Sequence, residues 1–279
     1  MMKILHKRSG LIGLLVCIVA AALVSAVAIW AVWGRNAART DAPANDGSLQ
    51  KVLDAGRFVL GLDADFPPMS FTDGWGTLTG FDIEMVQEVC KRLGVEFVKR
   101  PIDWTKKEEE LNGGTIDCVG GLLITPGRAE RMNMSEPYIK EALIFVVPGN
   151  SAARSLNDLK GKKIGVQSGS KPQEALDIYK DVSVVALKDN LTILQELKRG
   201  TLDAGLVDSV TAYYFVALSN ERYFVLPERL GEEKFAIGFR KNDKALRDKV
   251  QEIINEMKAD GTLGKISERW FDSDITIVR

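Results

Sequence analysis

The sequence predicts an α/β protein of two similar lobes that follow an N-terminal membrane-spanning helix. Three patterns in the 279 residues support this prediction. Residues 9–34 are uncharged and strongly apolar. From residue 51 onward, short apolar runs alternate with amphipathic segments, as strands alternate with helices in α/β proteins. The alternation restarts near residue 163 in the same order, so we expect a second lobe built like the first.

The N-terminal apolar stretch indicates the compartment. It is long enough to cross a bilayer as a helix, and Lys and Arg side chains precede it, so we expect the rest of the chain to be exported. A cleaved signal peptide usually has an apolar core of only about 7–15 residues, which favours an uncleaved anchor over a secreted or periplasmic product. We therefore predict a cytoplasmic tip and transmembrane anchor at 1–34, a linker at 35–49, and a domain on the extracytoplasmic face of the cell membrane.

Composition excludes several classes of function. The 37 Lys and Arg residues balance 38 Asp and Glu residues, so no basic field is available to attract a nucleic acid. The single histidine, His6, precedes the apolar stretch. The exported part therefore has no Ser-His-Asp or Cys-His arrangement and no His-ligated zinc. We predict no cofactor and no metal site.

Two cysteines, Cys90 and Cys118, lie in the predicted exported domain. They are too few for a thiolate zinc cage, but outside the cytoplasm they can form one disulfide. Two buried free thiols fit the sequence equally well, because the sequence does not give the Cα separation. Both interpretations stay open.

The first lobe begins with a predicted strand at 58–62 and a loop at 63–68, whose two prolines stop a helix. The next segment repeats apolar side chains at four-residue steps and predicts one buried helix face: Phe81, Met85, Val89 and Leu93. Gly94 follows at a position that favours the left-handed end of a helix. Further strands are predicted at 95–98, 115–123 and 142–147.

The second lobe repeats this order. Strands are predicted at 163–166, 182–187 and 204–207, and helices at 172–179 and 191–199. A strand at 235–239 and helices at 244–258 and 263–271 then complete the chain. We predict that the last segment returns to the first lobe, which is therefore discontinuous, at 50–143 plus 235–279. The second lobe is then an insertion at 147–230.

Seven runs resemble the bacterial extracellular solute-binding proteins of family 3, which serve ABC importers of polar amino acids: GLDADFPPMSF, LTGFDIEMVQEVCKRLG, GTIDC, ITPGRAERMNMSEPY, DLKGKKIGVQSGS, GTLDAGLVDS and DGTLGKISERWF. They follow the family's order across 51–272. The resemblance implies a type II periplasmic-binding-protein fold, in which two Rossmann-like lobes joined by a two-strand hinge close over a ligand. It also implies a monomer that binds a small polar amino acid and delivers it to ABC permease subunits.

The resemblance implies roles for residues at matching positions. Arg128 corresponds to the arginine that binds the ligand's α-carboxylate, and Asp208 to the carboxylate that binds its α-ammonium. Ser170 corresponds to a second carboxylate contact, and Phe66 and Trp104 to aromatic walls. A buried zwitterion needs a guanidinium at one end and an acid at the other. Because Arg128 and Asp208 belong to different predicted lobes, a bound amino acid would join the lobes.

Four more positions complete the predicted site. Asp63 corresponds to a position that contacts a cationic side chain in relatives, and Ser168 lies in the same loop as Ser170. The stretch from Asp117 to Arg128 is one residue shorter than in the family, and Leu123 replaces a hydroxyl residue that contacts the ammonium. Gly121 still offers a backbone carbonyl to that group.

Each site residue also has an ordinary structural interpretation. Arg128 can pair with Glu130 on the surface, and Asp208 can cap a helix that begins near Ser209. The two aromatic residues can belong to the core, and Asp63 can bond neighbouring loop amides.

Two functional alternatives also remain. One is a ligand-sensing or non-transport binding module, which the uncleaved anchor favours. The other is an enzyme similar to cyclohexadienyl dehydratases, whose fold this sequence also resembles.

Overall fold

The computed structural model describes residues 46–219 and 223–278. The predicted anchor at 1–34 and most of the predicted linker lie outside these ranges. Within the described ranges, none of the helices has both the length and the apolar character that a membrane span requires.

The strands, numbered along the chain, are β1 (Arg57–Leu62), β2 (Asp65–Phe66), β3 (Ser70–Thr72), β4 (Leu78–Thr79), β5 (Glu96–Pro101), β6 (Cys118–Leu123), β7 (Met132–Met134), β8 (Ile139–Pro148), β9 (Lys163–Gln167), β10 (Ser183–Leu187), β11 (Ala204–Asp208) and β12 (Tyr223–Arg240). The helices are α1 (Ser48–Ala55), α2 (Phe81–Leu93), α3 (Lys107–Asn112), α4 (Pro126–Arg131), α5 (Lys171–Leu176), α6 (Asn190–Arg199), α7 (Ser209–Leu218), α8 (Lys244–Ala259) and α9 (Thr262–Phe271). Single 3₁₀ turns occur at Trp104–Lys106 and Leu156–Leu159.

One nine-stranded sheet has the order β10-β9-β11-β8-β12-β6-β1-β5, and β7 pairs with β12. On one side of the sheet, β6, β1 and β5 are parallel. On the other side, β11, β9 and β10 are parallel. The antiparallel pair of β8 and β12 lies between these groups. The chain enters the second group through β8 and returns through β12, as expected for two lobes joined by two crossing strands, although the exact lobe bounds stay a prediction.

Helix α2 shows how local sequence produces the predicted element. Phe81, Met85 and Val89 are fully buried, and the helix ends at Gly94, whose φ is 73°. The helix begins after Gly80, whose φ is 135°. A Cβ at this glycine would lie 2.3 Å from the Met69 carbonyl oxygen, so a larger residue would displace the start of the helix.

Both cysteines of the described chain are buried free thiols. The disulfide interpretation is therefore not supported. Burial raises the pKa of Cys90 to about 12 and raises that of Cys118 as well. Because the thiolate is the reactive form, these two side chains are packing groups.

The predicted loop at 63–68 contains the short strand Asp65–Phe66, and the helix predicted at 172–179 ends at Leu176. Two strands also differ from the sequence prediction. The strand expected at 115–123 begins only at Cys118, and the side chain of Asp117, just before it, accepts a hydrogen bond from the Val59 N–H of β1 at 2.9 Å. The strand expected at 235–239 is Tyr223–Arg240, since polar residues that read locally as a loop pair with β8. Long-range pairing decides the second case.

Candidate ligand-binding site

Eleven residues line a small cleft between the two strand groups: Asp63, Phe66, Trp104, Gly121, Leu123, Arg128, Gln167, Ser170, Lys171, Pro172 and Asp208. Eight of them belong to the nine positions predicted from the sequence. The ninth, Ser168, does not line the cleft, and its N–H donates to the Leu187 carbonyl oxygen at 2.8 Å. It follows the strand β9 directly and remains paired to the neighbouring strand.

Arg128 forms the positive end of the cleft. It lies in α4, where its N–H donates to the Thr125 hydroxyl at 3.2 Å. Its guanidinium donates to the Leu123 carbonyl at 2.8 Å and to the Gly169 carbonyl at 3.5 Å. The side chain is 3% exposed and forms no ion pair within the described residues, which excludes the surface pair with Glu130. A buried guanidinium bonded only to carbonyls still favours an anion.

Ser170 lies beside this positive end. Its hydroxyl caps α5 by accepting from the Gln173 N–H at 3.4 Å, and it donates to the Gln167 carbonyl at 2.7 Å.

Leu123 contributes to the site through its backbone, because its carbonyl accepts a hydrogen bond from the Arg128 guanidinium. Gly121 has a φ of 63°, and a Cβ there would lie 3.1 Å from the Phe66 ring. A larger residue would be strained and would press on an aromatic wall of the cleft.

Asp208 forms the negative end at the end of β11. The side chain is 6% exposed, and its Oδ1 atom has no hydrogen-bond partner. It lies at the N-cap position of α7 but makes no capping hydrogen bond. Glu141 caps this helix instead, because its Oε2 accepts from the Ser209 N–H at 2.8 Å and from the Ser209 hydroxyl at 3.2 Å. The capping interpretation of Asp208 is therefore wrong, and its carboxyl faces the cleft.

The two acids at the negative end are electrostatically coupled. Burial raises the pKa of Asp208, while the Arg128 guanidinium acts in the opposite direction. Burial and the neighbouring Asp208 charge raise the pKa of Glu141. Two carboxylates in one buried site repel each other, so the second ionisation of this pair is opposed.

Asp63, Phe66 and Trp104 form the third part of the cleft. Asp63 is buried and accepts hydrogen bonds from the Asp65 N–H at 2.9 Å and from the Gln167 side-chain amide. Burial raises its pKa to about 6. Phe66 packs edge-on against Phe235 with ring centroids 5.9 Å apart, so it is both a core residue and a wall of the cleft.

The hydrogen bond from Arg128 to Gly169 and an ion pair between Lys188 and Asp65 at 3.8 Å connect the two sides of the cleft, and three more polar contacts do the same. The Gln167 amide donates to Asp63, and the Thr211 hydroxyl donates to the Pro67 carbonyl at 2.9 Å. Lys107 donates to the Gly169 carbonyl at 2.9 Å. The cavity that remains has a volume of about 20 Å³, close to that of one water molecule. An amino acid can therefore enter only when the two sides separate, and these contacts must then break.

A family model for bacterial extracellular solute-binding proteins, family 3, matches residues 58–273. The chain belongs to this family. The resemblance found in the sequence runs is thereby confirmed, and the type II periplasmic-binding-protein fold is confirmed with it. The family match covers both strand groups and both crossing strands of the solute-binding protein.

Three similar proteins show the range of the family. The L-cystine-binding protein TcyJ of Escherichia coli K12 is 35% identical over 237 residues, which are 84% of this chain and 89% of TcyJ. The arginine-binding extracellular protein ArtP of Bacillus subtilis is 30% identical over 224 residues, 78% of this chain and 87% of ArtP. The crystal structure of Tv2483 bound to L-arginine superposes with a TM-score of 0.81 at 29% identity, covering 84% of this chain and 98% of Tv2483.

The sequence analysis missed three residues that line the cleft, Gln167, Lys171 and Pro172, and two that lie near it, Lys107 and Glu141. Gln167 immediately precedes the predicted Ser168, and β9 turns its side chain into the cleft. Lys107 is the second residue of a charged run, KKEEE, that is typical of a solvated helix face, yet it is 5% exposed. Glu141 had a usable signal, because it is a carboxylate directly before the apolar run at 142–147. A charge next to a buried strand often needs a partner in the fold.

Proposed function

We propose that this protein binds a small polar amino acid between its two lobes and delivers it to the permease subunits of an ABC importer. One observation supports the proposal most strongly. A buried guanidinium, Arg128, and a buried carboxyl, Asp208, face the same cleft from opposite sides, and neither forms an ion pair within the described residues. An amino-acid zwitterion supplies the missing charge at both ends.

We propose further that the ligand carries a second cationic group. Asp63 is a buried acid that lines the same cleft as the aromatic walls. Its hydrogen-bond partners are amide groups rather than a cation. A guanidinium or ammonium on the ligand side chain would replace the Gln167 amide, and its stem would lie along Phe66 and Trp104. Arginine has such a group, and cystine has a second ammonium. ArtP and TcyJ are named for these two amino acids.

Ligand binding would stabilise a closed state in which each end of the zwitterion contacts a different lobe. The ligand can shift the equilibrium only by the contacts that closure adds, and the two charged ends are the largest of these. We propose that the protein acts as a monomer on the extracytoplasmic face of the membrane, held by an anchor at 1–34. It would release the ligand chemically unchanged.

A thermal-unfolding screen of the full-length chain tests the proposal, with the twenty common amino acids and cystine as probes. A ligand at one hundred times its Kd should stabilise the fold by about 2.7 kcal/mol. Arg128→Ala should abolish this stabilisation, because it removes the carboxylate partner. Arg131→Ala is the matched control, since Arg131 lies on the same helix but pairs with Glu108 at the surface. No stabilisation by any probe, or an undiminished effect in Arg128→Ala, would refute the proposal.

A further inference from the structure

Glu141 is a buried carboxyl that a simple zwitterion clamp does not require. It lies in the crossing strand β8 and is 6% exposed. Its Oε2 caps helix α7, but its Oε1 has no hydrogen-bond partner, and neither has Oδ1 of Asp208. Buried carboxyl oxygens without partners are costly unless a proton or a cation lies between them. We therefore look for one group that can stabilise both unpartnered carboxyl oxygens.

The sheet register brings the two carboxyls together. Asp208 pairs with Leu143 of β8, and residues two apart on a strand share a face, so Glu141 is a diagonal neighbour of Asp208. The hydrogen bonds from Ser209 then hold the Glu141 carboxyl at the start of α7, directly beside Asp208. Long side chains can reach each other across such a diagonal.

The surrounding charges decide which acid keeps a proton. Arg128, from α4, acts on Asp208 and favours its ionised form. Glu233, opposite Glu141 on β12, disfavours ionisation of Glu141. From α5, Lys171 and Glu174 act on Glu233 with opposite signs. No cation of the described residues forms an ion pair with Glu141, and no acidic group of three or more that could hold a metal ion occurs in them.

We propose that Glu141 and Asp208 hold one proton between them, with Glu141 donating it to Asp208 and orienting Asp208 towards the ammonium of the ligand. Glu141 is thus a positioning residue, and its hydrogen bond keeps Asp208 charged in a more acidic medium than burial alone would allow. The inference rests on the proposed function, in which Asp208 binds that ammonium. When the medium acidifies, a second proton neutralises the pair, and the ammonium loses its charged partner.

The direction of the effect follows from linkage. The pKa of Asp208 is raised by burial above its ordinary value of 3.8, so the ligand-free pair takes up its second proton before an isolated aspartate would. Ligand binding must expel this proton, so affinity is full at high pH and falls as the pH decreases through the raised value. The fall can approach tenfold per pH unit. The α-ammonium and α-carboxylate of the ligand keep their charges between pH 5 and 8.

The shared proton can be tested without a ligand. We compare the unfolding temperature of the full-length chain with that of Glu141→Gln between pH 5 and 8. The folded protein retains a proton that the unfolded chain has released, so its stability relative to Glu141→Gln should fall as the pH rises. We expect the difference to grow by about 2–4 °C per pH unit. Glu130→Gln, at an exposed site, is the control, and its unfolding temperature should differ from that of wild type by the same amount at every pH. An equally constant difference between wild type and Glu141→Gln would overturn the proposal.

Binding measured by calorimetry tests the second part. For each amino acid of the screen that binds, wild-type affinity should fall less steeply from pH 8 to pH 5 than that of Glu141→Gln, because the hydrogen bond from Glu141 lowers the pKa of Asp208. The comparison also separates the effect of Asp63, because its pKa of about 6 affects both proteins. Equal slopes in the two proteins would overturn the coupling while leaving the proposed function intact. If none of the amino acids binds, the proposed function itself fails.

Discussion

The two charged ends of the cleft differ in how the fold compensates a buried charge. At the positive end, Arg128 donates to two backbone carbonyls and keeps its charge in every accessible pH range. At the negative end, Asp208 has an unpartnered oxygen and a second acid beside it. The positive end is therefore ready for an anion at all times. The negative end is ready for a cation only while the acid pair holds no more than one proton.

This difference separates stability from ligand binding. Hydrogen bonds to carbonyls offset part of the desolvation cost of Arg128, whereas the acid pair opposes folding as long as no cation approaches it. Such locally unfavourable groups often occur at functional sites. We therefore expect substitutions at the negative end to weaken binding and to stabilise the ligand-free protein at the same time.

Of the substitutions Asp208→Asn, Asp63→Asn and Lys107→Met, Asp208→Asn should produce the largest effect on ligand affinity. It leaves the ammonium of the ligand without a carboxylate, which should cost about 3 kcal/mol, roughly a hundredfold in Kd at pH 7.5. The same change removes a buried charge whose ionisation the burial of Asp208 opposes, so the unfolding temperature of the ligand-free protein should rise. Calorimetry and thermal unfolding measure the two effects. Asp248→Asn, at an exposed position of α8, should change neither.

A lower unfolding temperature for Asp208→Asn would contradict the comparison. It would mean that Asp208 stabilises the fold through contacts with neighbouring groups, as Arg128 does through its carbonyls. Unchanged affinity would place the ammonium-binding group elsewhere.

Much of the fold can be predicted from local sequence. The helix at Phe81–Leu93 follows from four-residue apolar steps and a terminal Gly94, and it ends where those signals indicate. The strand Tyr223–Arg240 is different, because its polar middle resembles a loop and becomes a strand only through pairing with β8. Local patterns contain no information about a partner that lies eighty residues earlier in the chain.

The site shows the same division. Arg128 and Asp208 can be predicted because their surrounding runs resemble a known family, and the structure brings both to one cleft. Glu141 reaches Asp208 only through the pairing of Asp208 with Leu143. Lys107 is buried by contacts with Gly169, sixty-two residues away, although its own sequence neighbours are charged. Residues that act through such pairings need the fold before their role can be recognised.

Asp63→Asn should alter ligand preference rather than the zwitterion clamp. Affinity for arginine or lysine should fall by about 2 kcal/mol, roughly thirtyfold, because a hydrogen bond between charged groups is lost. Affinity for alanine should change less than about twofold. The pKa of Asp63 is raised to about 6, so its ionisation opposes folding above pH 6 and has no effect well below pH 4. The ligand-free variant should therefore be more stable than wild type at pH 8, by roughly 3 kcal/mol.

Equal losses for arginine and alanine would show that Asp63 supports the shape of the cleft instead of contacting a ligand side chain. The stability difference should also disappear at pH 4, where wild-type Asp63 is protonated in the folded state. Chemical unfolding at the two pH values measures this difference, and a difference that persists at pH 4 would indicate altered packing.

Lys107→Met should have the smallest effect, because Lys107 contacts the second lobe without belonging to either charged end. Its ammonium donates to the Gly169 carbonyl across the cleft and lies 5.2 Å from the centre of the Trp104 ring. Loss of this one hydrogen bond should cost about 1 kcal/mol, roughly fivefold in Kd. The contact forms only after closure, so the change should appear in the dissociation rate. Stopped-flow kinetics measure this rate, with exposed Lys106→Met as control. A slower association rate instead would mean that Lys107 guides ligand entry.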